Sequence, residues 1–304
     1  NIQKSLIILL VILYLSLLEE AMDKTNSIMV LGKPNSGKTV YSAQLYGRLT
    51  RGVEQQIAIR NTPENLDIFQ EALERLAEGN NPQRTTSSQF ANVSLPLVIK
   101  NEKEVDLTWF DYAGEQLTHI FESRSVNEKW AETLINANGW MVFIRLNDET
   151  KYKHKIEDLL TNRDVIKKGK TKQEETDSVD ANIWWIELFQ IILHVCNLKR
   201  SKRISKPKLA IVLSCYDQIS NSTSTTTPKE IFEKELPLLN QFLHSNWEQD
   251  RISIWGLSSL GRALDKRSQN TFVDNGPENQ GWIISPDNPE RSADLTSPIV
   301  WIYG

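Results

Sequence analysis

The sequence predicts an α/β fold of three layers, with helices on both faces of a six-stranded and mostly parallel sheet. Short apolar runs alternate with helical patterns along most of the 304 residues, as in parallel sheets joined by crossover helices. Two of these runs, 90–100 and 104–110, are separated by only a short polar turn and predict a hairpin. The hairpin places residues 90–100 as an antiparallel strand at one edge of the sheet.

The first strand and helix enclose the most informative motif of the chain. An apolar run at 27–31 predicts a buried strand, and residues 40–50 continue as a helix. Between them, residues 32–39 read G-K-P-N-S-G-K-T, the pattern of a phosphate-binding P-loop. Its glycines let the backbone turn tightly, so that loop amides and the helix N-terminus point at phosphate oxygens. The predicted fold is therefore that of the P-loop nucleoside triphosphatases.

Two side chains of this loop are expected to act directly on the triphosphate. Lys38 reaches the β and γ phosphates, which makes it a catalytic candidate, and the Thr39 hydroxyl is placed to ligate Mg²⁺. The other positions predicted to bind the nucleotide here are Gly32, Asn35, Ser36, Gly37 and Val40.

The next segment predicts a weak strand at 55–60 and then a helix. Thr62 followed by Pro63 is typical of a helix start, apolar residues recur at helical spacing, and Gly79 ends the pattern. A polar loop then leads into the hairpin.

The second hairpin strand delivers Asp111, the first residue of the sequence D-Y-A-G-E. An aspartate at the end of a strand that follows a P-loop is placed to hold Mg²⁺, directly or through water. Gly114 can turn its N–H towards a γ-phosphate. By itself Asp-x-x-Gly indicates an ordinary turn, but its place after the P-loop and the hairpin favours the functional role.

The second half of the chain alternates further helices and buried strands. The Trp184–Trp185 pair is assigned to packing rather than to ligand contact, and the apolar end of the chain is expected to pack onto the domain. Helices are predicted at 125–137, 151–166, 182–198 and 228–246, a charged loop at 167–180, and strands at 139–144, 209–213 and 251–257.

Two further motifs follow the last two of these strands, at residues 214–217 (S-C-Y-D) and 258–260 (S-S-L). With the P-loop and the D-x-x-G motif they resemble, in order, the motifs of P-loop GTPases of the Ras-like, translation-factor-like (TRAFAC) class. In detail the chain resembles the bacterial double-GTPase (DO-GTPase) families, which are linked to conflict and defence systems. The supporting features are D-x-A-G-E, a Gly-x-x-Pro-x-x-Thr-like stretch at 79–86 and a Pro-x-x-Trp-like tail at 298–301.

The resemblance implies that Asp217 reads guanine by accepting both of its edge N–H groups, and that Ser258 and Ser259 approach the base. The family places a lysine where this chain has Cys215, which can neither pack over the base nor brace the P-loop. Guanine selectivity is therefore open, and ATP is an alternative. Without the resemblance, Asp217 is equally well explained as the cap of a turn.

The resemblance also implies a threonine that ligates Mg²⁺ and senses the γ-phosphate in the loop before the hairpin. Thr86 is the candidate for this role, with Thr85 beside it as the alternative, and Thr62 is a poorer choice because its position is typical of a helix cap. Arg84 could supply an arginine finger, although a solvated arginine is the better explanation of one arginine in a polar loop. Glu115 takes the place of the glutamine that orients the attacking water, so we expect slow turnover that awaits a partner.

These observations predict a Mg²⁺-dependent switch that binds GTP, hydrolyses it to GDP and phosphate, and signals to a protein effector. The loops at 79–88 and 111–117 are the predicted switch segments. The alternatives are a nucleotide-dependent scaffold with little turnover, an ATPase, or a P-loop kinase, for which the sequence shows no acceptor or lid signature.

Composition sets the remaining expectations. The net charge of −4 offers no electrostatic reason to expect nucleic acid as a partner. Cys196 and Cys215 lie in apolar surroundings and are expected to be packed, reduced thiols. A nucleotide-dependent enzyme is expected in the cytoplasm.

The N-terminal segment at 1–21 is separate from the predicted domain at 22–304. Residues 5–18 are mainly apolar but short for a membrane span. They are explained either by a membrane anchor, by normally untranslated upstream sequence with Met22 as the true start, or by a packed helix.

Overall fold

The computed structural model describes residues 26–53, 56–80, 82, 92–100, 103–110, 113–151, 179–198, 202–219, 226–263 and 273–304. Its strands are β1 (Ser27–Gly32), β2 (Ile57–Ile59), β3 (Asn92–Ile99), β4 (Lys103–Phe110), β5 (Gly139–Ile144), β6 (Lys208–Ser214), β7 (Ile252–Ser258), β8 (Trp282–Ile284) and β9 (Arg291–Ser292). Its main helices are α1 (Lys38–Thr50), α2 (Leu66–Ala77), α3 (Ala113–Ser123), α4 (Glu128–Asn136), α5 (Ala181–Val195), α6 (Pro228–Glu235), α7 (Pro237–Asn246) and α8 (Ser297–Tyr303).

Within these residues, nine strands form one mixed sheet in the order β2-β3-β4-β1-β5-β6-β7-β8-β9. The central strands β4, β1, β5, β6 and β7 run parallel. The loops that follow β1, β5, β6 and β7 therefore meet at the carboxyl edge of the sheet, where ligands bind in open α/β folds.

The predicted α/β fold is confirmed, but the sheet is larger and more mixed than the six strands expected. The pairs β2–β3, β3–β4, β7–β8 and β8–β9 are antiparallel. The hairpin strand β3 is not at the edge, because β2 pairs with its outer side. Strands β8 and β9 have only three and two residues, too few for an alternating pattern to reveal them.

The two faces of the sheet bury separate apolar clusters, which produces the predicted three layers. Along β5, Trp140 and Val142 face the cluster that contains α5, whereas Met141 and Phe143 face the cluster that contains α1 and α8. This alternation follows from the twofold period of strand side chains. The apolar chain end packs onto the sheet as expected, since Ile299 of α8 is fully buried.

The helix predicted at 228–246 is two helices, α6 and α7. Pro237 lacks an N–H and disfavours helical geometry in the residue before it. Leu236 accordingly adopts φ −133° and ψ 58° and separates the two helices.

Two helices begin later than predicted. The start expected at Thr62 is wrong, because α2 begins at Leu66 after Asn65. Helix α4 begins at Glu128 rather than at residue 125, since the Asn127 side chain accepts a hydrogen bond from the Trp130 N–H and caps it.

Several predictions fall outside the described residues. They concern the apolar segment at 1–21, almost all of the helix predicted at 151–166 and most of the charged loop at 167–180. Among the described residues, no helix combines the length and the apolar character that crossing a membrane requires.

Candidate functional site

The P-loop leaves β1 and enters α1 through backbone conformations that suit an anion. Gly37 has φ 88° and Asn35 has φ 61°, both in the left-handed region. A Cβ built on Gly32 would lie 2.5 Å from Ser36 Oγ and 2.8 Å from Phe143 O, so a larger residue does not fit there. The N–H groups of the first turn of α1 precede its first internal hydrogen bond and are available to a phosphate.

Lys38 is buried in the centre of this loop. Its Nζ donates hydrogen bonds to Gly32 O at 2.7 Å, to Lys33 O at 2.9 Å and to Ser36 Oγ at 3.2 Å. Burial lowers the pKa of the ammonium from 10.5 to about 7, although the nearby Glu115 carboxylate raises it. The ammonium is therefore held by loop acceptors that phosphate oxygens can replace.

The lowered pKa of Lys38 predicts how stability depends on pH. The folded protein releases this proton near pH 7, whereas the unfolded chain keeps it to about pH 10.5. The unfolded state binds more protons between these values, so stability rises with pH in this window. Relative to Lys38→Met, the free energy of unfolding of the wild type is expected to rise by at most about 1.4 kcal/mol per pH unit. Urea denaturation from pH 7 to about pH 9 measures it, and a difference that does not change with pH contradicts the prediction.

The remaining P-loop positions differ in their exposure. Thr39 is the second residue of α1 and is half-buried, as is Val40, while Ser36 is buried and Asn35 is exposed. The Thr39 hydroxyl is thus carried next to Lys38 at the start of the helix.

The predicted partners of Thr39 in holding Mg²⁺, Thr86 and Asp111, lie outside the described residues and stay predictions. Gly114 and Glu115 are in the first turn of α3. Glu115 is exposed, and its charge acts on Lys38 across the site. Within the described residues, no group of three or more histidine, cysteine or acidic side chains could hold a metal.

The two motifs assigned to the base meet at the ends of neighbouring strands β6 and β7. The Ser258 hydroxyl donates a hydrogen bond to Asp217 Oδ1 at 2.6 Å. Asp217 is half-buried in a short 3₁₀ turn that begins after Cys215, whose φ is 50°. Ser259 follows as the next half-buried residue. The structure therefore brings Asp217, Ser258 and Ser259 together.

The buried side chain of Tyr216 fixes the turn that carries Asp217. This ring is fully buried and makes an edge contact with Trp282, with ring centroids 6.2 Å apart. A Cβ built on Gly256 would lie 2.9 Å from the ring, so β7 needs a glycine there. The position of the Asp217 carboxylate is thus set by packing beneath it.

Sequence reasoning missed an ion pair that holds the P-loop. Lys33 Nζ donates to Glu149 Oε2 at 2.5 Å, and Trp185 Nε1 donates to Glu149 Oε1 at 2.9 Å. Lys33 Nζ also lies 4.1 Å from the centroid of the Trp184 ring. The tryptophan pair therefore packs the P-loop against α5, and Lys33 and Glu149, 116 residues apart, carry no local signal of the contact.

Removing the Glu149 charge is expected to destabilise the protein. In Glu149→Gln, Lys33 loses an ionic partner whose side chain is 3% exposed, at a cost of about 1–3 kcal/mol in the free energy of unfolding. Chemical denaturation measures it. The control is Glu187→Gln, which breaks the exposed pair with Arg124 and is expected to cost at most about 1 kcal/mol. Equal losses in the two variants would contradict a special role for Glu149.

The sequence also gave no sign that α1 holds the C-terminal segment next to the base motif. Arg48 is 2% exposed, and its guanidinium lies among backbone carbonyls of this segment. Gly281 lies against residue 259, because a Cβ built on it would be 2.4 Å from Ser259 O. The carbonyls that accept from Arg48 belong to Pro277 (3.4 Å), Glu278 (3.1 Å), Gln280 (2.9 Å) and Ala293 (2.7 Å). Gln44 Nε2 donates to Pro277 O and Gln280 O as well.

Two solved structures are similar to this chain at low identity. A GTP-binding protein from the hyperthermophilic archaeon Sulfolobus solfataricus, in complex with GDP, is 14% identical with a TM-score of 0.31, over 84% of this chain and 53% of that one. The LeoA bacterial dynamin GTPase from ETEC is 11% identical with a TM-score of 0.32, over 91% of this chain and 37% of that one. This chain thus corresponds to about half or less of each.

Comparison of sequences gives a more specific result. No curated protein matches the chain. The model of the family Double-GTPase 1 matches residues 29–302, which include the P-loop and both base motifs. With nine-tenths of its length matched, the chain belongs to the Double-GTPase 1 family.

Proposed function

We propose that this protein is a Mg²⁺-dependent GTP hydrolase that works as a nucleotide switch. The observation that carries the proposal is the pairing of two sites at one edge of the sheet. The P-loop with Lys38 lies after β1, and the Asp217–Ser258 pair lies after β6 and β7. Membership of a GTPase family supports guanine as the base and hydrolysis as the reaction.

The phosphate site is formed mainly by the loop itself. Backbone N–H groups of the loop and of the first turn of α1 donate to the phosphate oxygens. Lys38 exchanges its three loop acceptors for β and γ phosphate oxygens, which keeps the ammonium charged where negative charge develops. Ser36 is released from Lys38 by the same exchange.

The donors proposed for the metal suit Mg²⁺, which prefers hydroxyl, carboxylate and phosphate oxygens. Thr39 supplies the hydroxyl from α1, and Asp111 and Thr86 are the proposed partners. When bound, Mg²⁺ would neutralise negative charge on the phosphates.

At the base, Asp217 accepts from the two edge N–H groups of guanine, and the Ser258 hydroxyl holds one of its oxygens in place. Adenine does not present this pair of donors to a carboxylate. Ser259 approaches the base from the loop after β7.

For the attack on the γ-phosphate, Gly114 and Glu115 are the proposed participants. The Gly114 N–H donates to the phosphate, and the Glu115 carboxylate accepts from the water. Because its negative charge faces the γ-phosphate, the intrinsic turnover is slow. In this proposal the γ-phosphate holds the segments 79–88 and 111–117 in one conformation, the second of which continues into α3, and hydrolysis releases them to a protein effector.

Competition between GTP and ATP for a fluorescent nucleotide tests the assignment of the base. GTP is expected to compete much better than ATP in the wild type. Asp217→Asn presents an amide in place of the carboxylate. The ratio of its GTP affinity to its ATP affinity is expected to be about 10- to 100-fold lower than in the wild type. The control is the exposed Asp287→Asn, which is expected to behave as the wild type. Equal competition by the two nucleotides in the wild type would overturn the role of Asp217 and favour the ATPase alternative.

A further inference from the structure

One arginine lies between the two halves of the proposed nucleotide site. Arg145 directly follows β5, and β5 is paired on one side with β1 and on the other with β6. These neighbours carry the P-loop and the Asp217 turn. They approach closely, because a Cβ built on Gly37 would lie 3.7 Å from Ser214 Cβ. Arg145 therefore lies at the carboxyl edge of the sheet, after the strand between the one that carries the P-loop and the one that carries the Asp217 turn.

The guanidinium of Arg145 is positioned by neighbouring polar side chains. Its Nη2 donates to Gln218 Oε1 at 3.3 Å, and its Nη1 lies 3.2 Å from Asp148 Oδ2. Gln218 is next to Asp217 in the same 3₁₀ turn. The guanidinium is thereby tied to the turn that carries the proposed base-reading carboxylate.

Two further features describe the surroundings of Arg145. Its Nε is buried and has no hydrogen-bond partner in the described part of the chain, which costs free energy. Its positive charge also acts on the half-buried Cys215 thiol. Burial raises the pKa of this thiol overall, and the Arg145 charge opposes part of that rise.

We infer that Arg145 stacks its guanidinium on the purine ring of the bound nucleotide and so supports the base that Asp217 reads. This inference rests on the proposed nucleotide binding. A guanidinium is planar, weakly hydrated and stacks well on aromatic faces. Such stacking tolerates different bases because each presents a π-face, whereas a carboxylate reads only the edge. Arg145 then contributes affinity, and Asp217 contributes the choice of base.

The test compares GDP, ADP and inorganic triphosphate as competitors of a fluorescent guanine nucleotide. Arg145→Met keeps an apolar stem up to about the position of Nε and removes the charged plane. The variant is expected to bind GDP and ADP more weakly than the wild type, by the same factor of about ten. Its affinity for inorganic triphosphate is expected to stay unchanged, because the P-loop is intact. Asp217→Asn is expected to change the ratio of GDP to ADP instead. Arg203→Met, on the exposed surface, is the control.

The outcomes separate this inference from the proposed function. Wild-type protein that binds neither GDP nor inorganic triphosphate would overturn both. The stacking role alone would be overturned if the wild type binds GDP and Arg145→Met binds it equally well. It would also be overturned if the variant loses as much affinity for inorganic triphosphate as for GDP. If Arg145→Met does not fold, as judged by thermal unfolding, Arg145→Lys takes its place. This variant keeps the charge without the plane, and a smaller loss shared by GDP and ADP is expected.

Discussion

Lys38→Ala is expected to abolish measurable GTP turnover, with a loss of about 10²–10³-fold or more. Lys38 Nζ is buried inside the P-loop, where it bonds Gly32 O, Lys33 O and Ser36 Oγ, whereas the Lys33 ammonium pairs with Glu149. Without Lys38, the loop loses the ammonium that is proposed to exchange these contacts for bonds to the phosphates. Phosphate release in Mg²⁺ with GTP, and separately with ATP, measures the effect.

The control for this variant is Lys202→Ala, because Lys202 is exposed and lies apart from the P-loop in the sequence. It is expected to hydrolyse GTP as the wild type does. Equal turnover in Lys38→Ala and the wild type would contradict the mechanism. Wild-type protein that binds GTP but never hydrolyses it would favour the alternative of a nucleotide-dependent scaffold.

Arg48→Met is expected to lower the free energy of unfolding by about 3–5 kcal/mol. Methionine replaces the apolar stem of the side chain but leaves the carbonyls of Pro277, Glu278, Gln280 and Ala293 without this donor. The segment they belong to lies against residue 259, so GDP affinity is expected to fall as well. Chemical denaturation and nucleotide titration measure the two effects.

Arg51→Met provides a matched control one turn along the chain. Arg51 pairs with Glu278 at the surface, where its side chain is 51% exposed, and its loss is expected to cost at most about 1 kcal/mol. If both variants lost the same stability, the buried contacts of Arg48 would not be what holds the C-terminal segment.

The sequence alone was sufficient wherever the signal is local. The P-loop is contiguous, and its glycines and Lys38 have their roles through backbone geometry within eight residues. The central strands are marked by apolar runs of ordinary length. Pro237 is also a local signal, because proline restricts the residue before it. The apolar period that continues across it nevertheless predicts one helix where the structure has two.

Other features depended on partners far away in the chain. The contact of Ser258 with Asp217 joins residues 41 apart, and that of Arg145 with Gln218 joins residues 73 apart. Lys33 and Glu149 are separated by 116 residues, and Arg48 and Ala293 by 245. None of these pairs has a spacing that a helix or strand period could reveal.

The division therefore follows from the range of the interactions. The sequence by itself determined the α/β class, the P-loop motif and the ends of the strands that precede residues 214–217 and 258–260, because each depends on neighbouring residues. Only the tertiary structure decided that β3 lies inside the sheet, that Asp217 meets Ser258, and that Arg145 follows the strand between those that carry the P-loop and the Asp217 turn. These depend on the order in which strands pair, and that order is set by burial of both faces of the sheet rather than by local pattern.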